Sequence, residues 1–210
     1  HFFVYSKTDN HINKQFLTLK MTYPKIITFT GASGVGKTTL AKKLLEKNNF
    51  QLVTSTTTRE ARPSDSPREY EHISFYSFAE LNEQNSFIWT AEHGGNHYGT
   101  KFKYIHNALN APYTSIMILV PEVLPKLIDY AKEQILPFYI RSPGDEELKR
   151  RLIKREEPLE SIEKRLKQSE DWEREAEDSK IPYRFIHNPF LRIEDAVREV
   201  RLYLNVNKLK

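Results

Sequence analysis

Nine consecutive residues, Gly31-Ala32-Ser33-Gly34-Val35-Gly36-Lys37-Thr38-Thr39, constrain this chain more than any other stretch. They read G-x-x-x-x-G-K-[ST], the phosphate-cradling P-loop. They follow Lys25-Ile26-Ile27-Thr28-Phe29-Thr30, which has the make-up of a buried strand, and run into Leu40, Ala41, Leu44 and Leu45, whose spacing is helical. Strand, glycine loop and helix in succession is the context that gives the pattern a mechanism. The glycines let backbone N–H groups wrap a phosphate chain, and the helix N-terminus adds a positive dipole end. Lys37 supplies a point charge for the outer phosphates, and the Thr38 hydroxyl can ligate Mg²⁺.

Downstream, Gln51–Thr54 reads as a short strand leading into Ser55-Thr56-Thr57-Thr58-Arg59-Glu60-Ala61-Arg62-Pro63. Hydroxyls beside two arginines three apart suit a phosphate, since guanidinium forks donate in pairs. By composition alone the same stretch is as readily a solvated loop. Strand signals follow over Tyr70–Tyr76, a short helix over Phe78–Gln84, a strand over Phe87–Ala91, a hairpin turn at His93-Gly94-Gly95-Asn96 and a strand over His97–Thr100. Alternation then resumes. Helices are expected over Lys101–Asn110, Glu122–Lys132, Gly144–Lys154, Leu159–Glu177 and Arg192–Leu204, and strands over Ser115–Val120, Ile135–Arg141 and Tyr183–Ile186. Ile162, Leu166 and Trp172 form a thin apolar stripe on the long helix. The fold class is therefore α/β, a P-loop NTPase with a doubly wound parallel sheet, whose ligand crevice lies at the C-terminal strand ends. The expected organisation is an N-terminal extension (1–21), a core (22–54 and 101–205), a strand-rich acceptor-binding insertion (55–100) and a helical lid (151–178).

Composition narrows the partners. The 210 residues are 39% hydrophobic and 29% charged, with no cysteine, which excludes disulfides and thiolate metal sites and permits a reducing cytoplasmic location. No apolar run approaches a membrane span. The net charge of +4 suits anionic ligands, but basic residues are interleaved with acids and form no basic block, which argues against nucleic acid.

Several motifs in order resemble the guanylate kinase family over about 22–205: the P-loop form, Ser55-x-Thr57-Thr58-Arg59-x-x-Arg62-Pro63, Glu69-Tyr70, Phe87-Ile88 with Gly95-Asn96-x-Tyr98-Gly99-Thr100, Arg151-Leu152-x-x-Arg155 with Ser161-Ile162-x-x-Arg165-Leu166, and Asn188. The resemblance implies transfer of the terminal phosphoryl of ATP, with Mg²⁺, to a small phosphorylated acceptor. It implies that Gly31 to Thr39 and Asn188 bind ATP, with Thr38 on the metal. Ser55, Arg59, Arg62, Tyr70 and Tyr98 would hold the acceptor phosphate, and Trp89 and Thr100 would line its pocket. Lys37, Arg151, Arg155 and Arg165 would surround the transferred group. Such a transfer depends on in-line positioning and charge neutralisation, which these residue types supply.

The resemblance fails where the family reads guanine. The family's Glu falls on Trp89 and its two Asp residues on Ile118 and Val120. An indole only donates, so it cannot accept from guanine N–H groups. Gln51, Glu92, His93 and Glu122 are candidates to compensate. The acceptor is thus open between a nucleoside monophosphate such as GMP and a phosphorylated sugar. A branch that phosphorylates ribose 1,5-bisphosphate also lacks the guanine-reading acids, and Glu71-His72-Ile73 and Leu124-Pro125 are similar to it. Domains of this type that only bind phosphopeptides degrade the P-loop, which is intact here.

Overall fold

The computed structural model describes residues 24–209 except 48, 64, 67 and 189–191, with side chains as far as 204. The expected extension over 1–21 lies outside the described residues.

The strand before the P-loop, β1 (Ile26–Thr30), is buried along its whole length. It sits at the centre of a five-stranded parallel sheet, between β7 (Thr114–Ile118) and β8 (Ile135–Ile140). The edges are β2 (Phe50–Leu52), beside β7, and β9 (Arg184–Ile186), beside β8. Central strands are apolar on both faces because both faces are covered. Ile27, Phe29, Phe138 and Ile140 pack against Leu40 and Leu44 of α1 (Lys37–Leu45), Leu148 and Leu152 of α5 (Asp145–Ile153), and Val200 of α7 (Ile193–Leu209). On the other face, Ile26, Met117 and Tyr139 meet Ile105 of α3 (Phe102–Asn110) and Leu124 and Leu127 of α4 (Leu124–Ala131). Each fully buried aliphatic side chain of this kind contributes about 1.5–3 kcal/mol. The doubly wound sheet is as expected. Among the described residues no helix is long and apolar enough to cross a membrane.

Residues 55–101 form a second sheet in the order β4-β3-β6-β5, built from β3 (Ser55–Thr57), β4 (Tyr70–His72), β5 (Phe87–His93) and β6 (Asn96–Lys101). The β5–β6 hairpin turns through Gly94 and Gly95, with φ of 58° and 72°, the positive-φ pair that a two-residue hairpin favours. Glu71 knits the sheet to α3. Its carboxylate accepts from the Thr56 hydroxyl at 2.9 Å and the Tyr104 hydroxyl at 3.1 Å, and pairs with the buried Lys101 ammonium at 2.8 Å.

Some elements differ from expectation. Ser55–Thr57 is a strand with Thr56 and Thr57 fully buried, because it is the inner strand between β4 and β6. The strand at Tyr70 stops at His72, since Ser74 caps the next helix, α2 (Phe75–Glu83), by accepting from Ser77 N–H. β7 ends at Ile118, and Pro121, which has no N–H to extend a ladder, opens a 3₁₀ turn. The long helix within the segment expected to be a lid, α6 (Leu159–Asp178), buries Ile162, Ser169 and Ala176. Trp172 is half-buried and belongs to a cavity wall rather than to the core stripe.

Candidate active site

The P-loop is braced from both ends of its fold. Lys37 Nζ donates to the Gly31 and Ala32 carbonyls, each at 2.7 Å. Asn188, buried in the loop after β9, donates its amide to Val35 O at 2.7 Å. Arg151 donates to Val35 O at 3.2 Å and to Asn188 O at 3.2 Å. Gly36, the residue before α1, has φ of 106°, and a Cβ there would stand 2.1 Å from the Asn188 amide nitrogen. With its carbonyls tied down in this way, the loop is pre-set for an anion at the helix N-terminus.

Two cavities adjoin the loop. One, of about 610 Å³, is walled by Gly34, Gly36, Thr39, Arg151, Arg155 and Asn188. Glu147 on α5 orients the arginines there. Its carboxyl is pulled to about 2 by the guanidinium of Arg150 first, with Arg151 adding. The other, of about 570 Å³, has Lys37 in its wall together with Ser55, Tyr70 and Tyr98. Thr38 is exposed on the first turn of α1.

The expected cations group unevenly. Burial first, then the charges of Arg155 and Arg165, push the Lys37 ammonium down to about 7. Arg165 is held by Glu157 at 2.8 Å. Arg151 shares a cavity wall with Arg155 and donates to the Val35 carbonyl of the loop. An anion arriving beside Lys37 would favour its charged form and offset both the burial and the neighbouring guanidinium charges.

The second cavity gathers most of the expected acceptor residues. Ser55 Oγ lies 3.4 Å from Thr100 Oγ1, with Thr100 itself fully buried behind it. Tyr70 and Tyr98 meet edge to face at 6.4 Å, and burial, with Glu69 adding, pushes the Tyr70 phenol up to about 12. The Arg59 guanidinium stacks over Tyr70 at 5.1 Å and is held by both oxygens of Asp65 at 2.9 Å. Despite partial burial, the Arg62 N–H and the Arg59 side chain keep the Asp65 carboxyl below the usual range. Arg62 gives only its backbone to this node, and its side chain is exposed.

All three positions at which the resemblance expects guanine-reading acids, Trp89, Ile118 and Val120, line this same cavity. Glu92, His93 and Glu122 line it too, whereas Gln51 borders a separate hollow with Lys42, Ser66 and Arg68. The Trp89 indole N–H is buried and has no partner. Sequence reasoning missed Asp65, the Glu71 node, and the contribution of Gln168 and Trp172 to the cavity. Spacing on α6 is the signal that was available: 165, 168 and 172 fall within one narrow arc of the helix.

Comparison with known proteins gives the same picture. The profile described as Guanylate kinase matches residues 23–205. A guanylate kinase of Deinococcus radiodurans is 38% identical over 148 residues, 70% of this chain and 62% of the relative. The chain thus spans less than two thirds of that relative's length. A guanylate kinase of Clostridium tetani is 30% identical over 187 residues, 88% of this chain and 87% of the relative. The crystal structure of guanylate kinase from Anaplasma phagocytophilum superposes with a TM-score of 0.68 at 24% identity, covering 90% of this chain and 88% of that one, a likeness of fold.

Proposed function

Because this chain belongs to the guanylate kinase family, we propose that it transfers the γ-phosphoryl of ATP to a nucleoside monophosphate held in the cavity beside Trp89. The observation that carries this reading is the position of Lys37. It lies in one wall with Ser55, Tyr70 and Tyr98 while feeling the charges of Arg155 and Arg165.

In the proposed mechanism the ATP phosphates lie along Gly31–Thr39, and the adenine enters the cavity walled by Arg151 and Asn188. The acceptor phosphate is held by Ser55, Tyr70 and Tyr98, with Arg59, gripped by Asp65, supporting Tyr70 from behind. An acceptor phosphate oxygen attacks the γ-phosphorus as its bond to the β,γ-bridging oxygen breaks, leaving ADP. Lys37, Arg155 and Arg165 neutralise the charge on the transferred group, the largest contribution a protein makes to this chemistry. Mg²⁺ supplies further neutralisation when bound, and Thr38 is the side chain that would hold it. A single exposed hydroxyl fits an ion that keeps its waters and arrives with the phosphates.

The apolar patch at Trp89, Ile118 and Val120 leaves guanine's N1–H and N2–H without the family's acceptors, so base selectivity is expected to be broad. A sugar bisphosphate acceptor accounts equally well for the lost acids but leaves two indole walls without a use.

ATP binding tests the donor half and carries a pH signature. With Lys37 titrating near 7 in the free protein, the side chain is mostly neutral at pH 8. Bound polyphosphate favours the ammonium, so binding at pH 8 takes up protons at that site, with the uptake shrinking as pH falls below the lowered pKa. Calorimetry in buffers of different ionisation enthalpy reads this directly, and Lys37→Ala removes it. A chain that binds no ATP would instead be a phosphopeptide-binding module.

A further inference from the structure

We propose that Trp172 is a specificity-determining residue, the wall against which the acceptor's base stacks; this deepens, and rests on, the nucleoside monophosphate reading. Arg165, Gln168 and Trp172 share one face of α6, within about 60° of arc. Arg165 acts on Lys37, and Gln168 and Trp172 line the acceptor cavity with Trp89 and Val120. Trp172 stands about 10 Å along the helix from Arg165, the length scale that separates a monophosphate's phosphate from the far edge of its base. One helix face therefore spans the acceptor from its phosphate to its base.

The residue next to Trp172 helps fix the position of α6, and with it the point from which the indole projects. Glu173 accepts from Arg141 at 2.5 Å and from the Ser142 N–H at 3.0 Å, and Glu177 accepts from Arg141 at 2.6 Å. Arg141 in turn lies over the Phe185 ring at 4.4 Å. This anchors α6 to the ends of β8 and β9 within one turn of Trp172. In the same lining Ile118, Leu119 and Val120 offer no side-chain acceptor, which leaves edge pairing to Glu92 and Glu122, and Trp172 adds an aromatic face for the base. Stacking of that kind tolerates different bases, since each has a π-face.

Steady-state kinetics of wild type, Trp172→Ala and Trp172→Phe with ATP and a panel of nucleoside monophosphates test this. Trp172→Ala is expected to raise the acceptor KM about tenfold or more, to leave the ATP KM within twofold of wild type, and to be largely rescued by Trp172→Phe. Acceptor binding should also quench tryptophan emission, and Trp172→Phe should lose at least half of that quench. An active wild type whose acceptor KM is unmoved in Trp172→Ala, or whose quench survives intact in Trp172→Phe, overturns the role of Trp172 alone. A wild type that phosphorylates no nucleoside monophosphate overturns the reading beneath it as well.

Discussion

Lys37→Ala is expected to lower turnover by about 10³-fold or more while leaving the fold in place. The side chain reaches only the Gly31 and Ala32 carbonyls, and its ammonium is held against burial and the charges of Arg155 and Arg165. A lysine driven down from 10.5 to about 7 opposes folding when charged. Between these values the unfolded chain binds more protons, so the wild type gains stability as pH rises through that window. The alanine variant lacks this component. It is therefore expected to unfold at least as high as the wild type at pH 6, with the advantage shrinking towards pH 10. Thermal unfolding at several pH values, beside initial rates, separates a lost catalytic charge from a broken fold. An inactive variant that also unfolds early at pH 6 would contradict this role for Lys37.

Arg59→Met is expected to lower kcat/KM for the acceptor by about tenfold, mainly through KM, with little change in ATP binding. The guanidinium donates to Glu60 O and to both Asp65 oxygens, so it acts by holding the Tyr70 ring beneath it, a desolvated cation–π contact worth about 2 kcal/mol. The guanidinium is only 9% exposed and is oriented by Asp65 and Tyr70. Lysine cannot reproduce the fork, so Arg59→Lys should recover little. Removing Arg59 also takes one support from the Asp65 carboxyl, whose lowered pKa contributes stability above the ordinary carboxylate range and loses it as pH falls. The variant should thus be less stable near neutrality, with the gap closing in acid. Equilibrium unfolding between pH 7 and pH 3 measures this. An unchanged acceptor KM would remove Arg59 from the phosphate site.

What was legible in the sequence was whatever rests on local rules. The P-loop carries its own spacing, and central strands such as Ile135–Ile140 announce themselves by apolar runs bounded by turns. Gly94-Gly95 marks its hairpin because both positions need positive φ. What was not legible depends on distance in the chain. Asp65 matters because it grips Arg59, and nothing in an acid six residues away says so. Glu71 became a node only when β3, β4, β6 and α3 met around it. Trp172 read as core because apolar residues at helical spacing usually are, and only the packing of α6 turns it to the cavity. Conversely, the loss of the family's acids was visible at once. That Trp89, Ile118 and Val120 would share one wall with Glu92 and Glu122 needed the fold.

The central claim is phosphoryl transfer from ATP to a nucleoside monophosphate, and ADP release measured with single acceptors tests it most directly. The panel is GMP, AMP, CMP, UMP and ribose 1,5-bisphosphate, with Mg²⁺ and with phosphorus NMR to identify products. Acceptor-dependent ADP formation is predicted, with a nucleoside diphosphate as product. Rates for GMP should fall within about tenfold of at least one other monophosphate, since Trp89, Ile118 and Val120 stand where the resemblance expects guanine-reading acids. Turnover of GMP alone would contradict the broad base selectivity, and turnover of ribose 1,5-bisphosphate alone would contradict the central claim.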